Sequence, residues 1–177
     1  MTRRWLLILP LLAFGGLLGL LGWGLAPDRD PTVLPSVMVG RAVPDFSLPA
    51  LGGEEPVSPR KLAGRLYLIN FFASWCVPCR AEHALLRGFA ALHHIPVLGI
   101  LYKDDTDKAR VYLSELGNFY TAIGRDDQGR TAIDFGVTGV PETYVVDGTG
   151  TILFRQAGPL DAGSLDHQLL PLIEARP

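Results

Sequence analysis

The stretch Leu66-Tyr67-Leu68-Ile69-Asn70-Phe71-Phe72-Ala73-Ser74-Trp75-Cys76-Val77-Pro78-Cys79-Arg80-Ala81-Glu82-His83 decides how this chain is read. Its first part, Arg65 to Phe72, is almost continuously apolar, as a strand covered on both faces requires. From Pro78 to Leu92 the pattern turns helical, with Ala81, Leu85, Gly88, Phe89 and Leu92 on one side and Arg80, Glu82, His83 and Arg87 elsewhere. Pro78 fits the first turn, where its missing N–H has no intrahelical partner to lose. Cys76 and Cys79, the chain's 2 cysteines, therefore stand where a strand hands over to a helix. Unpaired backbone N–H groups and the positive end of the helix dipole favour thiolate over thiol there. Cys76 is accordingly the expected nucleophile, with its sulfur at the surface, and Cys79 its intramolecular partner.

Three readings of the pair are open. A redox-active dithiol needs nothing further from the chain. A structural staple closes a longer loop as a rule, because the entropy removed from the unfolded chain grows with loop length. A zinc site wants four ligands; Cys76, Cys79 and His83 have a metal-like spacing, but no second cysteine pair or fourth ligand is evident. The spacing favours the dithiol, with no metal and no cofactor beyond the Cys76–Cys79 disulfide itself.

The N-terminus points to the compartment. Arg3 and Arg4 precede an uncharged run from Trp5 to Ala26. As a helix this run measures about 33 Å, enough for a bilayer core of about 30 Å. Pro27 directly after Gly24-Leu25-Ala26 disfavours signal cleavage, so residues 1–26 read as a cytoplasmic N-terminus and an uncleaved signal anchor. The arginines on the N-terminal side keep that end in the cytoplasm and carry the rest across the membrane. Residues 27–44, with Pro27, Pro31, Pro35 and Pro44, read as a semi-extended tether, and 45–177 as one domain. The whole chain carries −2 formally, and setting Arg3 and Arg4 aside leaves the remainder more acidic. With no basic stripe, nucleic acid is not an expected partner.

Elements alternate along the domain. Pro96 to Leu101 reads as a second buried strand, and Thr106 to Leu116 as a helix that starts after Asp104-Asp105 and stops at Gly117. A short helical piece follows near Ala132 to Phe135. Glu142 to Val146 and Ile152 to Gln156 read as strands joined across Asp147-Gly148-Thr149-Gly150. Leu165, Leu169, Leu172 and Ile173 mark a last helix, which Pro171 should kink or shorten. This order fits an α/β fold, a small mixed sheet with helices on both faces.

The strand, the Trp-Cys-x-x-Cys, the helix and a later Gly-Val-Pro before a hairpin resemble the thioredoxin superfamily. More narrowly, the chain resembles the CcmG/DsbE family of membrane-tethered thiol:disulfide interchange proteins of cytochrome c maturation. The similarity runs over roughly residues 40 to 170. It is carried by Val43-Pro44-Asp45-Phe46-Ser47-Leu48, Asn70 to His83, Tyr102-Lys103-Asp104-Asp105, Glu115-Leu116-Gly117-Asn118 and Gly136-Val137-Thr138-Gly139-Val140-Pro141-Glu142-Thr143. The peroxidatic Pro-x-x-x-Thr-x-x-Cys pattern of peroxiredoxins is absent, since Phe72 and Trp75 stand where Pro and Thr would.

The resemblance implies a thioredoxin-like fold, with an N-terminal transmembrane helix in the bacterial inner membrane and the catalytic domain in the periplasm. Electrons would come from a membrane thiol transporter. They would reduce a disulfide in apocytochrome c and free its Cys-x-x-Cys-His for haem attachment. Cys76 would attack a target sulfur and Cys79 would resolve the mixed disulfide. Trp75 would shield the sulfurs and help form the docking surface. Pro141 matches the family's cis-proline, leaving Val140, with Pro141 and Thr143, to receive an extended substrate. Glu82 and Glu142 match positions lining an acidic groove near the dithiol, where a carboxylate raises a thiol pKa and pushes the pair toward a reductant. Asn70 departs from thioredoxin, which carries a buried Asp there. Asn cannot titrate, so Glu142 or Glu82 would take over proton handling. His83 reads as a surface-helix residue. Two other functions stay open: a general periplasmic reductase or isomerase, and a metallochaperone using Cys76, Cys79 and His83.

Overall fold

In the computed structural model, residues 2–24, 37–53 and 55–175 are described. The chain divides into two compact units, residues 1–34 and 35–177.

The first unit holds helix α1 (Thr2–Gly24). Its described side chains are those of Pro10 and residues 12–22, all exposed. Among the described residues no helix is long and apolar enough to cross a membrane. The expected span from Trp5 to Ala26 runs past them at its C-terminal end. Residues 27–36 of the expected tether also lie outside the described residues. Its last part belongs instead to the folded unit: Gly40 N–H donates to Ile152 O at 2.8 Å and Val43 N–H to Gly150 O at 2.8 Å. The boundary expected at residue 45 therefore falls inside the second unit. Proline content signals stiffness, and says nothing about which backbone groups will find partners.

The second unit is built on a five-stranded sheet of order β3-β2-β1-β4-β5. Its strands are β1 (Tyr67–Phe72), β2 (Val97–Tyr102), β3 (Ala122–Asp126), β4 (Glu142–Val146) and β5 (Ile152–Ala157). β1, β2 and β3 pair in parallel, while β4 pairs antiparallel with both β1 and β5, so the sheet is mixed. β3 has no counterpart in the sequence reading. It is a short edge strand with Gly124 at its centre and Arg125 and Asp126 at its end, too polar to show a strand period. Its Gly124 matters for packing, because a Cβ there would come within 2.8 Å of Leu48.

Side-chain alternation sorts the strands into two cores. Leu68, Phe72, Val97, Leu101 and Val145 pack with helix α2 (Val77–Leu92), helix α3 (Thr106–Leu116) and the C-terminal helical run. Tyr67, Ile69, Phe71, Leu98, Ile100, Tyr144 and Val146 pack on the other side with Phe46, Val57, Leu62 and Phe135, beside the short helix α4 (Arg130–Asp134). The C-terminal run is α5 (Ala162–Ser164), a π-helical turn (Leu165–Leu169) and α6 (Leu170–Glu174). Pro171 does not end this run. It sits in the first turn of α6, and the widened turn just ahead accommodates the ring and the missing N–H.

Candidate active site

α2 begins at the C-terminal end of β1, so the sheet delivers the Cys-x-x-Cys to the helix mouth. Cys76 is the helix N-cap, and its Sγ accepts from the Cys79 N–H at 3.1 Å. A disulfide joins Cys76 to Cys79. The loop leading into the helix is pinned by Asp104, whose carboxylate accepts from the Ser74 N–H and, at 2.9 Å, from the Ser74 hydroxyl. Trp75 Nε1 donates to Lys103 O at 3.3 Å. Lys103 adopts a positive φ of 45°, which turns the β2–α3 loop toward the site.

Cys76 does not stand proud of the surface as expected. The residue is 4 % exposed and Cys79 1 %. The reason is the facing loop: the Val140–Pro141 peptide is cis, and Val140 O lies 3.4 Å from Cys76 Sγ. Around the sulfur, Trp75 is 56 % and Val77 78 % exposed, so an apolar collar rims a nucleophile lying just beneath it. Pro78 is also exposed, in the first turn of α2.

Beneath the dithiol lies a buried polar cluster. Glu82 follows Cys79 by about one helical turn and so shares its helix face. It is 4 % exposed. Asn70 Nδ2 donates to Glu82 Oε1 at 3.1 Å and to Thr143 Oγ1 at 3.0 Å, and the Leu160 N–H donates to Glu82 Oε2 at 2.8 Å. No cation reaches the carboxylate in these contacts. Burial therefore dominates and raises its pKa to about 7, against the pull of the two N–H donors. Asn70 occupies the strand position expected. Thr143, expected to receive substrate, is instead fully buried, with its hydroxyl accepting from Asn70, so its side chain is out of reach of a substrate.

Glu142 also departs from expectation. On β4, Thr143 and Val145 face the dithiol side, and strand alternation turns Glu142 and Tyr144 to the opposite core. There its carboxylate accepts from Arg155 Nε at 2.6 Å and Nη2 at 3.1 Å, and from the Tyr144 hydroxyl. It is a fully buried ion-pair partner rather than a wall of the dithiol groove. Removing one partner of a buried pair leaves the other charge uncompensated. We expect Glu142→Gln to lower unfolding free energy by about 3–5 kcal/mol in urea melts, while leaving the pKa of the attacking thiol, followed by alkylation rate against pH, unchanged.

His83 is buried, not on the surface, at 2 % exposure. Its Nε2 lies 2.8 Å from Gly117 O and its Nδ1 3.0 Å from the Tyr112 hydroxyl. The carbonyl can only accept, so Nε2 carries a proton. Desolvation lowers the His83 pKa and favours the neutral ring, which leaves Nδ1 to accept from Tyr112. Both ring nitrogens are thus spent on α3 and the turn after it, and the Cys76–Cys79–His83 metal set loses its third member. The sequence reading missed Tyr112, Tyr120 and the Leu160 N–H. Each comes from a segment with no spacing relation to the cysteines.

These features can be placed against known proteins. The Redoxin family model matches residues 38–169. The thiol:disulfide interchange protein DsbE homolog of Paracoccus denitrificans is 43 % identical over 96 % of this chain and 93 % of its own length. The chain belongs to the DsbE-type thiol:disulfide interchange proteins. HelX of Rhodobacter capsulatus, also named a thiol:disulfide interchange protein, is 41 % identical over 95 % of both chains. A solved thiol-disulfide oxidoreductase from Bacteroides fragilis superposes with a TM-score of 0.64 at 26 % identity, covering 75 % of this chain and 99 % of its own. The thioredoxin-like fold and thiol-disulfide oxidoreductase activity follow for this DsbE-type chain.

Proposed function

We propose that this protein is a membrane-anchored periplasmic reductase that opens the disulfide of apocytochrome c before haem attachment. The observation that carries the reductant reading is the buried Glu82 under Cys79. A carboxylate there opposes a second negative charge nearby and so holds the resolving thiol protonated until it is needed. A less stabilised thiolate makes a dithiol more reducing.

The reaction balances over two electrons. The Cys76 thiolate attacks one sulfur of the target disulfide, forming a mixed disulfide and releasing the other sulfur as a thiolate. Glu82 takes the Cys79 proton, and the Cys79 thiolate attacks Cys76 Sγ. The target leaves as a dithiol and Cys76–Cys79 is oxidised. A membrane thiol transporter then restores the dithiol with two electrons. The collar of Trp75, Val77 and Pro78 receives the apolar flank of an extended target, and the Val140 backbone at cis-Pro141 aligns its chain. The uncharged run from Trp5 to Ala26 serves as the inner-membrane anchor, with its N-terminus in the cytoplasm.

The client assignment rests on family resemblance and on membership among DsbE-type proteins. Its test is a competition between two disulfide substrates. The reduced domain should reduce an oxidised Cys-x-x-Cys-His apocytochrome c segment at least about tenfold faster than insulin, a preference of about 1.4 kcal/mol. Equal rates would make it the general reductase or isomerase instead.

A further inference from the structure

Tyr120 lies outside every motif around the cysteines, yet its hydroxyl reaches the buried cluster. It sits 2.8 Å from Asn70 Oδ1. The ring is held between Phe72, stacked at a centroid distance of 4.7 Å, and Phe119, stacked at 4.3 Å. The space for it comes from β2: a Cβ on Gly99 would lie 2.9 Å from the rings of both Phe72 and Tyr120. Three segments are thus shaped around one phenol.

We propose that Tyr120 is a positioning residue that locks the side-chain amide of Asn70 with its N–H groups toward Glu82. This rests on Glu82 being the proton acceptor for Cys79. An amide has two orientations that fill the same space and exchange its oxygen for its nitrogen. In the observed one, Tyr120 donates to Oδ1, and Nδ2 donates to both Glu82 and Thr143. In the turned one, Oδ1 would confront Glu82 Oε1, which is tolerable only when the carboxyl is protonated. The Tyr120 proton decides between them, because in the turned amide it would face N–H groups. Burial keeps the Tyr120 pKa well above the ordinary value, so the phenol stays a donor throughout. Its bond to Oδ1 also polarises the amide and strengthens the N–H donation on the far side. Both effects favour the carboxylate.

The groups facing Glu82 bear on any titration. On α2, Cys79 lies one turn before it; from α3 comes Tyr112, whose pKa is raised chiefly by burial and also by the Glu82 charge. β1 brings Asn70, β4 Thr143, the stretch before β3 Tyr120, and the segment after β5 the Leu160 N–H.

The test uses Tyr120→Phe, which keeps the stacked ring and removes one hydroxyl. The Glu82 carboxyl is titrated directly by carbon NMR in the full chain, with a melting curve alongside. We expect its midpoint to rise by about half a unit to one unit, in the direction that loss of a donor to the charged form dictates. A purely structural role would lower the melting temperature and leave the midpoint in place. An unchanged or lowered midpoint overturns the inference. The readout is independent of the reading beneath it: if Glu82→Gln leaves the pH profile of disulfide exchange unaltered, Glu82 is not the proton acceptor, whatever Tyr120 does to its titration.

Discussion

Cys79→Ser should convert a turnover enzyme into a trap. With Cys76 retained, attack on a target disulfide proceeds, because Cys76 keeps its place as N-cap of α2. The mixed disulfide then has no intramolecular way out: the sulfur that would resolve it is gone, and a serine hydroxyl does not exchange with disulfides. Resolution falls back on external thiols. An effective molarity of even the lower order, about 10⁵ M, is lost with the neighbouring thiol, so catalytic reduction should fall by at least about 10³-fold. A covalent adduct should accumulate in non-reducing gels and vanish with dithiothreitol. The converse Cys76→Ser should give neither turnover nor adduct. Adduct forming through Cys79 in that variant would reverse the assigned roles, against the burial of Cys79 at 1 % under the helix start. Identifying apocytochrome c in the adduct would support the proposed client, and its absence among abundant other targets would remove it.

The second large effect concerns stability against pH. The Glu82 carboxyl has a folded pKa raised to about 7, chiefly by burial. In the unfolded chain it titrates near the ordinary glutamate value of about 4.3. Between these values the folded protein holds a proton that the unfolded chain has released. The native state is therefore favoured by Glu82 below about pH 4.3, and that contribution is lost as pH rises to about 7, flattening above it. The loss amounts to about 4 kcal/mol. Glu82→Gln cannot titrate and should lack this component. Urea melts of wild type and variant across pH 4 to 8 should show the stability difference shifting by about that amount in favour of the variant at high pH. A parallel pair of curves would mean that Glu82 titrates alike in the folded and unfolded states. The same variant should slow the resolving step above neutral pH, because Cys79 would lose its proton acceptor.

Glu82 and Glu142 show how unevenly a sequence reveals a site. Both fall in motifs that resemble the family, and both read as carboxylates lining a groove near the dithiol. Glu82 lies one helical turn past Cys79, and helical spacing alone puts it on the same face. Glu142 adjoins Pro141, close in sequence to the site, but one step along a strand reverses the side chain. Whether that reversal turns it toward or away from the sulfurs depends on which face of β4 meets α2. That is a property of sheet order, not of local spacing. His83 failed for a related reason: a histidine among Arg80 and Arg87 looks solvated until α3 and Gly117 close over it. β3 was invisible because an edge strand needs only half the apolar pattern of a central one.

The linear chain by itself determined the chemistry: a vicinal pair of sulfurs at a strand-to-helix junction and the alternation of elements that makes a mixed sheet. These follow from short-range sterics, helix-end electrostatics and periodicity, which act within a few residues. The tertiary structure alone decided what surrounds the sulfurs. It buried Glu82 without a cation, turned Glu142 to Arg155, and brought Tyr120 and the Leu160 N–H to the same small polar cluster. Those are long-range decisions, taken by strand order and helix packing, because a proton's affinity depends on every group within a few ångströms and not on the residues adjacent along the backbone.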